Sequence, residues 1–282
     1  MAHSMVAEAE AVLDREFPVL DKGFVRLVDY MGSDDRVVQA ARVSYGAGTR
    51  TVREDAGLID YLLRHNHTSP FEQVALVFHM KLPIFVARQM VRHRTASLNE
   101  ISGRYSVMKD DFYIPADADL ALQSTDNKQG RSEEALDPVF AGELKAAMGA
   151  EQRRSYAEYS ALIGKGIARE LARINLPLSL YTEWYWEIDL HNLFHFLELR
   201  LDPHAQLEIR RYAEVMYDIT RKVAPLCCAS FERYRLGSVT FSREEFAELG
   251  RRLGSAADAG SGALAGKALE RFEEKLRTGK QL

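Results

Sequence analysis

Between Arg92 and Tyr105 the chain reads Arg-His-Arg-Thr-Ala-Ser-Leu-Asn-Glu-Ile-Ser-Gly-Arg-Tyr. Three arginines, a histidine and several hydroxyl and amide side chains surround one acid, Glu100. A fold must leave such a cluster in water or against an anion, because unpaired buried charge is strongly unfavourable. The segment is therefore a ligand-facing or solvated turn, hung on elements that find their core elsewhere. The formal net charge of -4 makes it a local device rather than part of a broad nucleic-acid-binding surface.

The flanking pattern shows what carries this turn. Val74 to Leu82 has apolar residues at alternate positions, the period of a half-buried strand. Pro83 then opens a predicted helix running to about Arg94. On that helix Arg88, Gln89, Arg92 and His93 fall within one arc of roughly 140°, with Ile84, Val86, Ala87, Met90 and Val91 on the other side. Ser102-Gly103-Arg104 suits a phosphate cradle, offering a hydroxyl, close backbone approach and a guanidinium fork.

Elsewhere, Phe24 to Met31 reads as a strand, and Asp34 to Ser44 and Asp55 to His65 as helices. Ser69-Pro70-Phe71-Glu72 has a capping-box pattern with Pro at the first helical position. Residues 116–137 are rich in small and polar side chains and are expected to form a flexible loop or lid. A long helical pattern is predicted from about Val139 to Ile174, with room for breaks near Gly149 and Gly164. Asp189 to Leu201 and His204 to Val223 read as further helices. The aromatic run Tyr181 to Trp186 is read as core packing. Residues 250–266 read as mobile and 267–280 as a peripheral helix. Strands early and helices late indicate an α+β fold.

The turn reads as RHRxxSxNxxSxRY and resembles the signature of flavin-dependent thymidylate synthases. The resemblance extends over roughly residues 24–236, leaving 237–282 as a C-terminal extension and 1–22 as an N-terminal segment. It implies a single domain with a mixed or antiparallel sheet flanked by helices. It also implies synthesis of dTMP from dUMP with 5,10-methylenetetrahydrofolate as carbon donor and NADPH-reduced FAD as hydride source. By the same resemblance the enzyme is a homotetramer whose sites are shared between subunits.

Site residues carry over from that likeness. His67, Ser69 and Glu72, in the segment His67-Thr68-Ser69-Pro70-Phe71-Glu72, are expected near FAD, as are Arg92, His93, Arg94, Glu100 and His204. Asp189, His191 and His195 are placed there too, although the family often has Asn, Arg and Asn at these positions. Gln89, Arg92, Glu100, Ile101, Ser102, Gly103, Arg104, Arg173 and Arg200 are expected to line the dUMP site. Arg200, Ser102 and His67 are assigned to the catalytic centre, Ser102 without a nucleophilic role, since no adjacent base is evident.

Other readings of the same residues stay open at this level. His191 and His195 lie one helical turn apart with Glu198, half of a zinc-like site, but Asn192 stands where a metalloprotease needs its glutamate, and no metal is expected. The arginine turn would also serve a non-catalytic nucleotide- or RNA-binding module. Glu72 reads equally as a helix cap, and Arg173 as a cation answering a helix C-terminus. The two cysteines, Cys227 and Cys228, are adjacent and lack a neighbouring His or Lys, so they suggest core packing rather than a thiolate nucleophile. No apolar run reaches membrane-spanning length, and a reducing cytoplasm is the expected setting.

Overall fold

A computed structural model describes residues 5–43, 52–125 and 130–253, with Gly266, 269–270 and 272–273. The expectations for most of 250–280 lie outside the described residues.

An antiparallel sheet organises the chain in the order β1-β2-β3-β7-β4, with β1 Glu16–Val19, β2 Gly23–Met31, β3 Ala75–Pro83, β4 Ser97–Glu100 and β7 Tyr181–Asp189. The alternation read from the sequence is realised in β3. Leu76, Phe78, Met80 and Leu82 are fully buried, while Ala75, Val77, His79 and Lys81 lie half-buried on the other face. β7 pairs with β3 along its whole length, from Ala75 opposite Asp189 to Pro83 opposite Tyr181. The aromatic run is thus a strand: Trp184 and Trp186 face the core, and Tyr185 faces outward, stacked on His79 at 4.8 Å. Aromatic residues on both faces hid the two-residue period.

Helices cover the inner face of the sheet. α1 Ala7–Glu10, α2 Asp34–Arg42 and α3 Val52–Arg64 come before β3, and α4 Ile84–Met90 follows it. Later come α5 Pro138–Gly164, α6 Arg169–Ala172, α7 Leu190–Arg200, α8 Leu207–Val223, α9 Pro225–Phe231 and α10 Arg243–Leu253. α8 buries Ile209, Tyr212, Ala213, Met216, Ile219 and Val223 at helical spacing, a stripe that packs on the sheet. Its close approach requires Gly23. The Tyr212 hydroxyl donates to the Lys81 carbonyl at 2.7 Å, and a Cβ on residue 23 would sit 2.0 Å from that hydroxyl. A smaller core of Met108, Phe112, Tyr159, Ala172 and Leu180 lies beneath α5.

Four expectations are corrected. The helix after Pro83 ends at Met90, so Arg92 and His93 leave the expected helical arc and, with Arg94, lie in the segment that follows. Ser69 to Glu72 forms no capping box; Pro70 leads into a 3₁₀ turn, Phe71–Gln73, without a side-chain cap. The expected loop at 116–137 contains a 3₁₀ turn, Asp117–Asp119, and a hairpin of β5 Ala121–Gln123 with β6 Arg131–Ala135. The long helix breaks at Gly164, where a break was expected, and yields to Gly166 in the left-handed region (φ 80°), but the break expected near Gly149 is absent and that residue sits within an unbroken helix.

Candidate active site

α4 and α7 bring the turn against the second half of the chain. His93 packs edge-on against Phe196 at 4.9 Å and lies 5.9 Å from the His195 ring. Arg200, one turn beyond Phe196, donates its Nε to His93 Nε2 at 3.2 Å. The imidazole must be neutral to accept there. Burial first, then the charges of Arg200 and His195, lower its pKa to about 4. Burial also lowers the Arg200 pKa. The arginine on the apolar side of α7 therefore meets a neutral ring, and its terminal nitrogens make no hydrogen bond or ion pair among the described residues.

His195 also reaches a cavity of about 370 Å³ between α3, α7 and α9. Its polar lining includes His67, His191, Asn192 and His195 together with Glu198 and Arg235, and Phe71 and Phe194 belong to its apolar lining. Ser69 and Glu72 are exposed beside it but do not line it. Asp189 is engaged structurally: its carboxylate caps α7, accepting from the Asn192 backbone N–H at 2.9 Å and from its amide at 2.6 Å. Among the described residues, the His191–His195 pair belongs to no group of three His, Cys, Asp or Glu that could hold a metal ion.

The second half of the signature lies along the sheet edge. β4 pairs with β7 at the sheet edge with all four residues exposed. There the Thr182 hydroxyl donates to the Glu100 carboxylate at 2.5 Å, and Ile101 N–H donates to the Glu183 carbonyl at 2.9 Å. The Ser102 carbonyl accepts from Tyr105 and Ser106, closing a tight turn. Arg173 lies over buried Gly103, where a Cβ would come within 3.1 Å of its Cδ and of the Met108 sulfur. Arg104 pairs with Glu170 at 2.9 Å, more than half exposed. Ser102, Gly103, Arg104 and Arg173 thus form one basic patch. Exposed Leu171, Ile174 and Leu178 border it.

Gln89 stands at the end of α4 and donates to Gln206, a residue that the sequence reading passed over. The signal was the Gln-x-Glu step immediately after His204-Ala205. His204 faces a separate cavity shared with the β5–β6 hairpin. Arg92 and Arg94 are exposed and make no ion pair among the described residues. Cys227 and Cys228 are buried within α9, and burial raises both thiol pKa values well above the ordinary value, with Asp34 adding to the effect.

The fold resembles that of a UMP/dUMP methylase, PolB, from Streptomyces cacaoi, solved with 5-Br dUMP: 34% identity and a TM-score of 0.71 over 78% of this chain and 98% of that one. The same methylase solved with 5-Br UMP gives 0.70 over 77% and 98%, again at 34% identity. The fold is thus one shared with a methylase of pyrimidine nucleotides. Residues 26–226 match the family described as "Thymidylate synthase complementing protein". Residues 239–282, left outside the resemblance by the sequence, match "Thymidylate synthase ThyX C-terminal domain". A flavin-dependent thymidylate synthase of Treponema denticola is 64% identical over 96% of this chain and 100% of its own length. One from Treponema pallidum is 61% identical over 100% and 91%. The chain belongs to the flavin-dependent thymidylate synthase family.

Proposed function

We propose that the chain makes dTMP from dUMP by reductive methylation, with 5,10-methylenetetrahydrofolate as carbon donor, NADPH-reduced FAD as hydride source and no cysteine nucleophile. The observation that carries this reading is the Arg200–His93 pair beside the imidazole-lined cavity. The cavity suits a flavin in its donor set: Phe71 and Phe194 offer apolar surface to a flat ring, and His67, His191, Asn192 and His195 match ring nitrogens and carbonyls. Exposed Arg92 and Arg94 are free to meet its diphosphate. FAD supplies a reducible ring that can deliver a hydride.

The protein's own contribution is binding and electrostatics. Ser102, Gly103, Arg104 and Arg173 hold the nucleotide phosphate, with a backbone turn and two guanidinium groups. Arg200 stabilises negative charge developing on the pyrimidine ring, and His93 fixes its direction without competing for its charge. Gln89, Glu100 and Ile101 complete the nucleotide site, and His67 closes the catalytic centre. Ser69, Glu72, Asp189 and His204 are assigned to the flavin side. The buried thiols have no thiolate to offer.

The residues of the phosphate patch are not among those that line the cavity or meet the Arg200–His93 pair. A homotetramer with composite sites brings them together, and the exposed apolar residues beside Arg173 suit a subunit contact. Residues 23–236 then form the catalytic domain and 237–282 an appended extension, working in the cytoplasm. The test is dTMP formation from dUMP with methylenetetrahydrofolate, NADPH and FAD. Absence of product from folded, flavin-loaded protein would overturn the assignment.

A further inference from the structure

Gln89 and Gln206 meet side chain to side chain, and the pair does not stand alone. Gln206 donates its Nε2 to Glu208 Oε2 at 2.8 Å. Glu208 is 4% exposed. Arg131, on β6, donates one nitrogen to both carboxylate oxygens, at 2.9 and 3.0 Å. The Tyr113 hydroxyl donates to the same group at 3.3 Å. Arg131 is itself held by the Asp119 carbonyl, at 2.7 Å. Burial opposes ionisation of Glu208, but the bonds from Arg131 and Gln206 outweigh it and hold the pKa below the ordinary carboxylate value.

An ionised carboxylate only accepts hydrogen bonds, whereas a glutamine amide has a donating and an accepting end. Glu208 therefore obliges Gln206 to turn its NH₂ inward and its carbonyl toward Gln89. Gln89 must answer with its own NH₂, which leaves its carbonyl oxygen for the ligand. The direction of both amides follows from the chemistry of Glu208 rather than from the similar outlines of oxygen and nitrogen.

We propose that Gln206 and Glu208 are positioning residues that set the polarity of Gln89, so that it accepts a hydrogen bond from a donor on the bound pyrimidine nucleotide. The donor is the ring imide N3–H or a sugar hydroxyl. This rests on the reading of Gln89 as a nucleotide contact. A ring of cytosine type, with an acceptor at N3, would set lone pair against lone pair. A site built around a substrate donor rejects analogues lacking it far more strongly than an apolar pocket does.

Calorimetric titration of the full chain with dUMP, N3-methyl-dUMP and 2′,3′-dideoxyuridine monophosphate tests this. Gln206→Met, at an exposed position, keeps the length and removes the amide. It should weaken dUMP binding about tenfold and leave unchanged the affinity for whichever analogue lacks the donor that Gln89 reads. That analogue also identifies the donor as ring or sugar. The double variant Gln206→Glu/Glu208→Gln moves the carboxylate one place along the relay, still demands NH₂ from Gln89, and should restore dUMP affinity. Equal losses for all three nucleotides, no loss for dUMP, or a folded double variant that fails to rescue would overturn the proposal. If the double variant does not fold, the Gln206→Met pattern decides alone. A wild-type protein that binds none of the three would overturn the functional reading, and the relay with it.

Discussion

Arg200 Nε reaches His93 Nε2 at 3.2 Å, so the cation at the end of α7 rests on an uncharged imidazole rather than on an acid. This fixes the sign of a pH effect. Folding lowers the His93 pKa from 6.5 to about 4, so between those values the unfolded chain holds a proton that the folded chain does not. The stabilising contribution is complete above about 6.5 and is lost as pH falls through about 4. Urea midpoints should fall across that window, and His93→Gln should flatten the slope. An identical slope in the variant would show that His93 titrates normally.

Arg104 and Glu170 are both more than half exposed, and such pairs contribute at most about 1 kcal/mol. Arg104→Ala should leave the melting temperature nearly unchanged. It should weaken dUMP binding by about 1.5–3 kcal/mol, the range for a lost charge-assisted bond. Calorimetry showing unchanged affinity would remove Arg104 from the site.

Gly103 is buried under the Arg173 side chain, and a methyl group there would stand 3.1 Å from Arg173 Cδ. The neighbours are flexible side chains, so Gly103→Ala should fold normally but displace Arg173. The expected outcome is a higher KM for dUMP with a small change in stability. Wild-type KM would show that the contact has no role in substrate binding.

Cys227→Ala/Cys228→Ala removes two buried thiols from α9. The lost packing should cost stability, about 1 kcal/mol per sulfur, while turnover per folded molecule is retained. Complete loss of dTMP formation in a folded double variant would refute a cysteine-free route.

The membership of the chain was legible at the turn, because the residues that meet a ligand are contiguous there and their types are set by its chemistry. β2 and β3 were legible too, since burial on one face imposes a two-residue period on the sequence. β7 was not, because Tyr185 and His79 stack on the outer face and erase the contrast between the two sides. Nor was the helix end at Met90: local spacing allowed the helix to continue, and the chain turned away to place His93 on α7.

What tertiary structure alone decided is which polar groups face one another. His93 and Arg200 are 107 residues apart, and Gln89 and Gln206 are 117 apart. Composition along the chain carries no record of such pairings. Each member's own surroundings in sequence leave its partner unnamed, and it acquires a protonation state or a fixed direction only when folding brings that partner within hydrogen-bond distance.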